Sequence, residues 1–292
     1  MENFKDSLIS NKKLGIVCND AGGAEIISSW LKRVKNKFYL SLSGPALVIF
    51  RRKFRNIKLD NLKNVISKSD LIVTGTSLKS NKELEAIKIS RKYKKKTITF
   101  LDHWVNYRRR FVRNNIIVQP NYLIVSDKEA FRIAKDEFKN SITIFIKKNF
   151  YLLDLKKKIS KINSKIKKNN FVYFSSNLDS TSYPYSDNFI LKKGVEFMKK
   201  NNKLRDFNIL IRKHPSENRN KYKNLEIEGI KIFIDKHKEL NNTIDENNYF
   251  FGFESMALVV ASICGKKTYS FKSKIKKLNV VPRKYINHYI KI

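Results

Sequence analysis

Cysteine is nearly absent from this chain of 292 residues: Cys18 and Cys264 are the whole complement. Each sits inside an apolar run, and without CxxC spacing they exclude a disulfide framework and a thiolate metal site. Both are expected to be core residues in a reducing compartment. Long apolar runs are also missing. No segment approaches the ~18 uninterrupted apolar residues of a membrane span, and the opening MENFKDSLISNKK lacks the apolar stretch of a signal peptide. The expected location is the cytoplasm, at most peripheral to the inner membrane face. Acidic residues are scarce, with 26 Asp and Glu against 62 Lys and Arg, a formal net charge of +36. Such an excess attracts anions over long range, nucleic acid and anionic membranes being the two candidates. The lysines, however, are spread over the whole chain, as a coding sequence biased toward A and T would leave them. No arginine-rich arm or zinc-finger spacing accompanies them, so nucleic acid is not the expected partner.

A hydrophobic content of 41% suffices for one large core or two of moderate size. Short β-type runs alternate with helix-type segments, the signature of parallel sheets joined by helical crossovers. In the first half the strand candidates are LGIVCN (14–19), FYLSLS (38–43), LIVTGT (71–76), TITFLD (97–102), YLIVSD (122–127) and ITIFI (142–146). Between the first two, Ile26, Ile27, Trp30, Leu31 and Val34 repeat with helical spacing. The second half offers FVYFSS (171–176), FNILIRKH (207–214), IKIFID (230–235), YFFGFE (249–254) and KTYSF (267–271). The expectation is an α/β chain of two Rossmann-like domains facing a cleft: 1–150, a lysine-rich linker over 151–168, and 169–292.

In open parallel sheets, ligands lie beyond the carboxyl ends of the strands, so the residues there are the ones to read for chemistry. NDAGGAE places Gly22 and Gly23 between a strand and a helix, where backbone N–H groups can approach a ligand. Asp20 caps the turn or serves as a carboxylate that accepts a proton from a hydroxyl. The pattern is not G-x-G-x-x-G, so a nicotinamide or flavin has little support. FLDHWVNYRRRF brings Asp102, His103, Trp104, Tyr107 and Arg108 close together, the rings and planar donors that a sugar or nucleotide site uses. Two adjacent residues, Asp102 and His103, do not make a metal site. In LIRKHPSEN, Pro215 restricts the backbone at His214, which can donate to a phosphate oxygen while Arg212 supplies charge. Strand alternation turns Lys213 to the other side. Finally, Glu254 follows an apolar strand and Ser255 and Met256 open a helix whose N-terminus suits phosphate. Ser175 and Ser176 repeat the theme of short donors at a strand end.

The HP pair at a strand end, followed by the helix start Glu254-Ser255-Met256-Ala257-Leu258, resembles the C-terminal halves of GT-B glycosyltransferases that build bacterial surface polysaccharides. The HP element looks like that of bacterial sialyltransferases and polysialyltransferases, and the wider pattern is similar to the glycerophosphotransferases of teichoic acid synthesis. The resemblance implies a nucleotide-sugar donor on the second domain, a glycan or lipid-linked acceptor on the first, and neither an obligatory metal nor another cofactor. It implies that His214 serves the donor phosphate, assisted by Ser175-Ser176 or by Ser255. The base of those sialyltransferases is an Asp in an acidic pair before glycine. This chain has no such pair; Asp20 is the nearest substitute and Asp102 the rival. The expected catalytic set is thus Asp20, Asp102, His103 and His214. Donor contacts fall to Ser175, Ser176, Arg212, His214, Pro215, Glu254, Ser255 and Met256, and acceptor contacts to Gly22, Gly23, Trp104, Tyr107 and Arg108. The expected function is an inverting glycosyltransferase acting on a CMP- or UDP-sugar, in capsule, lipopolysaccharide or related synthesis. An epimerase, hydrolase or polyol-phosphate transferase on the same fold is the alternative, and a nucleic-acid-binding protein the non-enzyme one.

Overall fold

A computed structural model of the chain describes residues 2–139, 141–162, 170–176, 184–201, 207–214, 217–218, 220–222, 225–227, 229–275 and 281–292. The chain divides into two compact units, Met1–Leu153 and Asp154–Ile292.

The N-terminal unit runs β1 (Glu2–Asn3), β2 (Leu14–Cys18), α1 (Ala21–Leu31), β3 (Phe38–Leu42), α2 (Gly44–Lys53), α3 (Leu62–Lys68), β4 (Leu71–Thr74), α4 (Lys82–Lys92), β5 (Lys96–Phe100), β6 (Val112–Arg113), β7 (Ile116–Ile117), β8 (Tyr122–Val125), α5 (Lys128–Phe138) and β9 (Thr143–Ile146). Its main sheet has the order β1-β9-β8-β5-β4-β2-β3 and is parallel throughout. Helices cover both faces of such a sheet, which is why β2 and β4 are buried at every residue and read as unbroken apolar runs. Turn chemistry sets the helix starts: the Asp127 carboxylate accepts from the backbone N–H groups of Glu129 and Ala130 at 2.8 and 3.0 Å and so opens α5. From β2 the chain moves outward to β3 and then returns to β4 on the other side. The two strands thus flank a topological switch point, and the residues beyond Cys18 and Thr74 border its crevice.

Within α6 (Phe150–Ile162) the chain passes into the second unit, which continues β10 (Asn170–Phe174), α7 (Asp187–Asn201), β11 (Asn208–Arg212), β12 (Ile232–Ile234), α8 (Leu240–Glu246), β13 (Tyr249–Phe253), α9 (Met256–Ile263), β14 (Lys267–Lys272) and β15 (His288–Lys291). The sheet order β12-β11-β10-β13-β14-β15, again parallel, is the doubly wound Rossmann order with its switch point between β10 and β13. Its core is aromatic: Phe171, Tyr173, Phe251, Phe253 and Phe271 are all buried. Each such ring contributes about 1.5–3 kcal/mol on leaving water, before the entropy of ordering it.

Every strand candidate read from the sequence contains a strand. β15 was not anticipated, because its residues are half-buried or exposed at a sheet edge and form no apolar run. The stretch read as a linker over 151–168 is helical through Ile162. Leu155 and Ile159 are buried four residues apart, while Lys156, Lys157 and Lys158 are exposed between them. Helical spacing of two apolar residues within a lysine run is a weak signal; residues 163–168 lie outside the described residues.

Candidate functional site

At the N-terminal switch point the structure gathers carboxylates. Asp20 occupies the N-cap position of α1 but caps nothing with its side chain. Its Oδ1 accepts instead from Asn19 Nδ2 at 2.8 Å and from the Ser77 hydroxyl at 3.0 Å. Glu83, in the first turn of α4, accepts the Asn19 backbone N–H on Oε1 at 2.7 Å. Its residue is 2% exposed, and burial pushes the carboxyl up to about 7, with Asp20 adding to the rise and the Asn19 donor opposing it. Asp102 follows β5 and receives Arg110 Nη1 at 3.3 Å; the same nitrogen donates to Thr76 Oγ1 at 2.9 Å. Burial, then Glu83, Asp102 and Asp20, raise the Cys18 thiol well above its usual value, which places all three carboxylates within electrostatic reach of that one sulfur.

The two glycines acquire packing roles. A Cβ on Gly22 would stand 1.8 Å from Asp102 Oδ2, so that carboxylate lies against the first turn of α1, where unpaired N–H groups and the helix dipole favour an anion. At Gly23 the backbone passes so close to Gly75 that a Cβ would meet the Gly75 Cα at 3.0 Å. Gly22→Ala is therefore expected to cost about 1–2 kcal/mol by driving Asp102 aside. In an Asp102→Ala background the same change should be neutral or stabilising, since Ala is the better helix former. A double-mutant cycle by urea denaturation measures this, and additive costs would show that the two residues are not in contact.

His103 is half-buried. Burial lowers its imidazole to about 4 against the opposing pull of Asp102, with Arg110 adding to the drop, so it is neutral at pH 7. Its Nδ1 accepts the Trp104 backbone N–H at 3.0 Å, which leaves the ring proton on Nε2. The expectation that aromatic faces here meet a ligand is corrected. Trp104 is 5% exposed with its indole N–H donated to Asp127 at 3.0 Å, and Tyr107 is fully buried, so both rings anchor the core. Arg108 is exposed, and it is Arg110, two residues on and buried, that faces Asp102.

In the C-terminal unit the strand ends converge on a buried charged network. The Ser175 hydroxyl donates to Glu217 Oε1 at 2.5 Å and shares a 2.7 Å hydrogen bond with Tyr222. The Ser176 backbone N–H donates to Asp187 Oδ1 at 3.1 Å, and its hydroxyl to the Phe253 carbonyl at 2.7 Å. Lys221 joins the two acids, bonding Asp187 Oδ2 at 2.6 Å and also Glu217 Oε1. Glu217 in turn holds His214 from both sides: its Oε2 accepts the His214 N–H at 2.9 Å, and its own N–H donates to the His214 carbonyl at 3.0 Å. His214 is exposed; Pro215 lies outside the described residues.

Arg212, expected to offer charge beside His214, is committed elsewhere. Its Nη1 bonds Asp235 Oδ2 at 2.6 Å, Thr243 Oγ1 at 2.8 Å and the His237 carbonyl at 3.0 Å. The Asp235 side chain is 1% exposed, so Arg212 neutralises a buried charge. Glu254 is held in a left-handed conformation, φ +46°, which is costly for a residue with a Cβ. Its backbone N–H donates to Ser270 Oγ at 3.2 Å and its Oε2 accepts the Val281 N–H at 2.6 Å. Ser255 caps α9 through the Ala257 N–H at 3.2 Å, and Met256, the first residue of α9, is half-buried.

Glu83, Glu217, Lys221 and Asp187 were not among the residues expected from sequence, and Arg110 was read there only as one of the run Arg108-Arg109-Arg110 without an assigned contact. Glu83 and Asp187 each stand in the first turn of a helix, where a carboxylate reads as ordinary helix chemistry. Among the described residues no group of three His, Cys, Asp or Glu is placed to hold a metal ion.

No protein-family model matches the chain, and no curated protein sequence matches it. Solved structures do. UDP-GlcNAc 2-epimerase from Methanocaldococcus jannaschii aligns with TM-score 0.65 and 14% identity over 96% of this chain and 88% of its own. UDP-GlcNAc 2-epimerase from Neisseria meningitidis, bound to UDP-GlcNAc, aligns with TM-score 0.63 and 12% identity over 88% and 82%. The fold is GT-B. The wall teichoic acid polymerase TagF, H548A form, aligns with TM-score 0.50 and 12% identity over 96% of this chain and 75% of that one. Each GT-B half of this chain is Rossmann-like, and each has its candidate residues at the carboxyl ends of its parallel strands: after β2 and β5 in the first half, and after β10, β11 and β13 in the second.

Proposed function

We propose that this GT-B chain is an enzyme of nucleotide-sugar chemistry and, within that class, an inverting glycosyltransferase for a surface glycan. The observation that carries the reading is His214. The side chain and backbone of Glu217 fix its main chain, it stands exposed at the end of β11, and the strand belongs to a sheet in Rossmann order. An imidazole so held can donate to the phosphate of a departing nucleotide, with the N-terminal amides of α9 sharing the charge. Ser176, Glu254 and Met256 are proposed to line the same nucleotide site. In the N-terminal half, Asp20 takes the proton of an acceptor hydroxyl. The hydroxyl oxygen then forms its bond to the anomeric carbon as the bond from that carbon to the phosphate oxygen breaks. Asp102, paired with Arg110, is the alternative base.

The donor is proposed to be a UDP- or CMP-sugar. That UDP-GlcNAc is bound by a protein of the same fold supports the first, and the HP element supports the second. The acceptor is proposed to be a lipid-linked glycan of capsule or lipopolysaccharide type. Among the described residues no helix is long and apolar enough to cross a membrane. The +36 charge supports peripheral contact with an anionic inner leaflet. A second reading, nucleotide-sugar epimerase or hydrolase, draws support from the likeness to two 2-epimerases.

The test is a thermal-shift series with CMP, CDP, UDP, GDP and their sugar or glycerol conjugates, run beside His214→Ala. A ligand of the native state at about 100 times its Kd adds about 2.7 kcal/mol, a shift of several degrees. One nucleotide class should raise Tm, and His214→Ala should abolish the rise. Nucleotide release that needs an acceptor indicates transfer, and release or sugar isomerisation without one indicates the second reading. A flat response to every nucleotide would overturn both.

A further inference from the structure

Glu83 is the one strongly altered carboxyl at the N-terminal site, and no role follows for it from the fold alone. Its Oε1 is anchored by the Asn19 N–H, and Asn19 Nδ2 reaches on to Asp20. Its Oε2 is buried and makes no hydrogen bond among the described residues. Ser77, whose hydroxyl also serves Asp20, lies in the loop before α4. That loop is pinned by Arg113, which donates to Asn81 Oδ1 at 2.9 Å and to the Ser77 carbonyl at 2.8 Å. Asp20 and Glu83 are therefore two carboxylates hung on one framework, the first half-buried at the crevice and the second inside it.

An ionised carboxylate with one buried oxygen unsolvated is costly; the neutral acid carries no such penalty. The elements packed against α4 bring little cation to offset it. β2 contributes the buried Cys18, whose raised thiol is uncharged, and just beyond it Asp20, which disfavours a further negative charge. β4 has no titratable residue, Lys96 of β5 sits exposed at the opposite strand end, and Lys63 and Lys68 of α3 are exposed. Lys82 on the same helix is the single cation that acts to lower the Glu83 carboxyl, as the last of its influences.

We propose that Glu83 is a positioning residue for Asp20 that holds a proton on its buried Oε2 in the working state. Loss of that proton shuts the site to an anionic nucleotide sugar. The identity of the anion rests on the reading given above. With the proton on, Asp20 is the sole charge of the pair and Asn19 is held in place. With it off, two adjacent negative charges oppose the approach of a third and shift the Asn19–Asp20 geometry.

The experiment compares the full chain with Glu83→Gln and Glu83→Ala across about two pH units either side of 7, using UDP-GlcNAc and CMP-sialic acid as probes. Turnover and binding by the parent should fall about tenfold per pH unit above about 7, as one ionisation requires. Glu83→Gln, a permanent mimic of the neutral acid, should be about threefold weaker at pH 6 yet flat with pH, so that the two curves cross. Glu83→Ala should be lower than Gln at every pH, because Asn19 loses its acceptor. An inflection retained in Gln, or Gln as impaired as Ala, overturns the proposal. Infrared difference spectra read the proton without turnover: a protonated-carboxyl band should vanish as pH rises through about 7 and be missing from Glu83→Gln. If neither probe binds while the band titrates, the nucleotide-sugar reading fails and the proton-holding role of Glu83 stands. If there is no such band at pH 6, that role is overturned whatever the probes do.

Discussion

Lys221→Met is expected to lower the stability of the C-terminal unit by about 3–5 kcal/mol at pH 7, because it strands two buried carboxylates. Both acids that Lys221 joins, Asp187 and Glu217, have fully buried side chains. Burial alone would raise the Asp187 carboxyl. The donors Lys221, Tyr173 and Ser176 outweigh it and hold the group below its ordinary value. Burial likewise opposes the Lys221 charge, and the bonds to Asp187 and Glu217 overcome it and raise the ammonium. The sign follows from linkage. Asp187 stabilises the fold above its ordinary 3.8, and this is lost as pH falls through the lower folded value. Lys221 stabilises it below 10.5, and this is lost as pH rises through the higher folded value. The full effect is present at neutral pH. Trp30 and Trp104 lie in the N-terminal unit, so fluorescence reads that unit while circular dichroism reads both. The guanidinium transition should move in the second signal and not in the first. A loss below about 1 kcal/mol would mean that the bridge behaves as an exposed one. Because Glu217 also fixes the His214 backbone, the variant should lose any nucleotide-dependent rise in Tm as well.

Glu83→Gln is expected to gain on the parent by about 2.5 kcal/mol between pH 5 and pH 8, the larger part of the free-energy equivalent of a carboxyl raised from 4.5 to about 7. Below pH 4.5 the folded and unfolded parent both hold the proton, and the group adds no pH dependence. Between 4.5 and about 7 only the folded state holds it, so the parent loses stability as pH rises. Above about 7 the full cost of a buried anion is present. The glutamine cannot ionise and carries none of that slope, although its amide leaves a buried donor that costs about 1–3 kcal/mol at every pH. The observable is therefore the change in the difference between the two proteins, measured by denaturation in matched buffers. A difference that stays level with pH would show that Glu83 is ionised throughout.

Strand positions were legible because parallel strands covered on both faces appear as apolar runs that end where polar residues begin: LGIVCN stops at Asn19, YFFGFE at Glu254. The half-exposed edge strand β15 and the helix within the lysine-rich stretch were not, since neither buries enough consecutive residues to leave a pattern. For the site, Asp20, Asp102 and His214 could be chosen because each stands at a strand end. Trp104 and Tyr107 show the limit of that reasoning: the same residue types serve a ligand or a core, and only packing distinguishes them.

By itself the sequence determined the α/β class, the alternation that makes two parallel sheets, the charge of +36 and the strand ends where chemistry could sit. These follow from local composition and periodicity, which neighbouring residues fully specify. Only the tertiary structure decided the partners: Glu83 on the Asn19 backbone across 64 residues, Lys221 between Asp187 and Glu217, Arg212 on Asp235 rather than on a ligand. A carboxylate becomes a proton store, a salt-bridge partner or a solvated surface charge according to its burial and the donors around it. Those are set by residues distant in the chain.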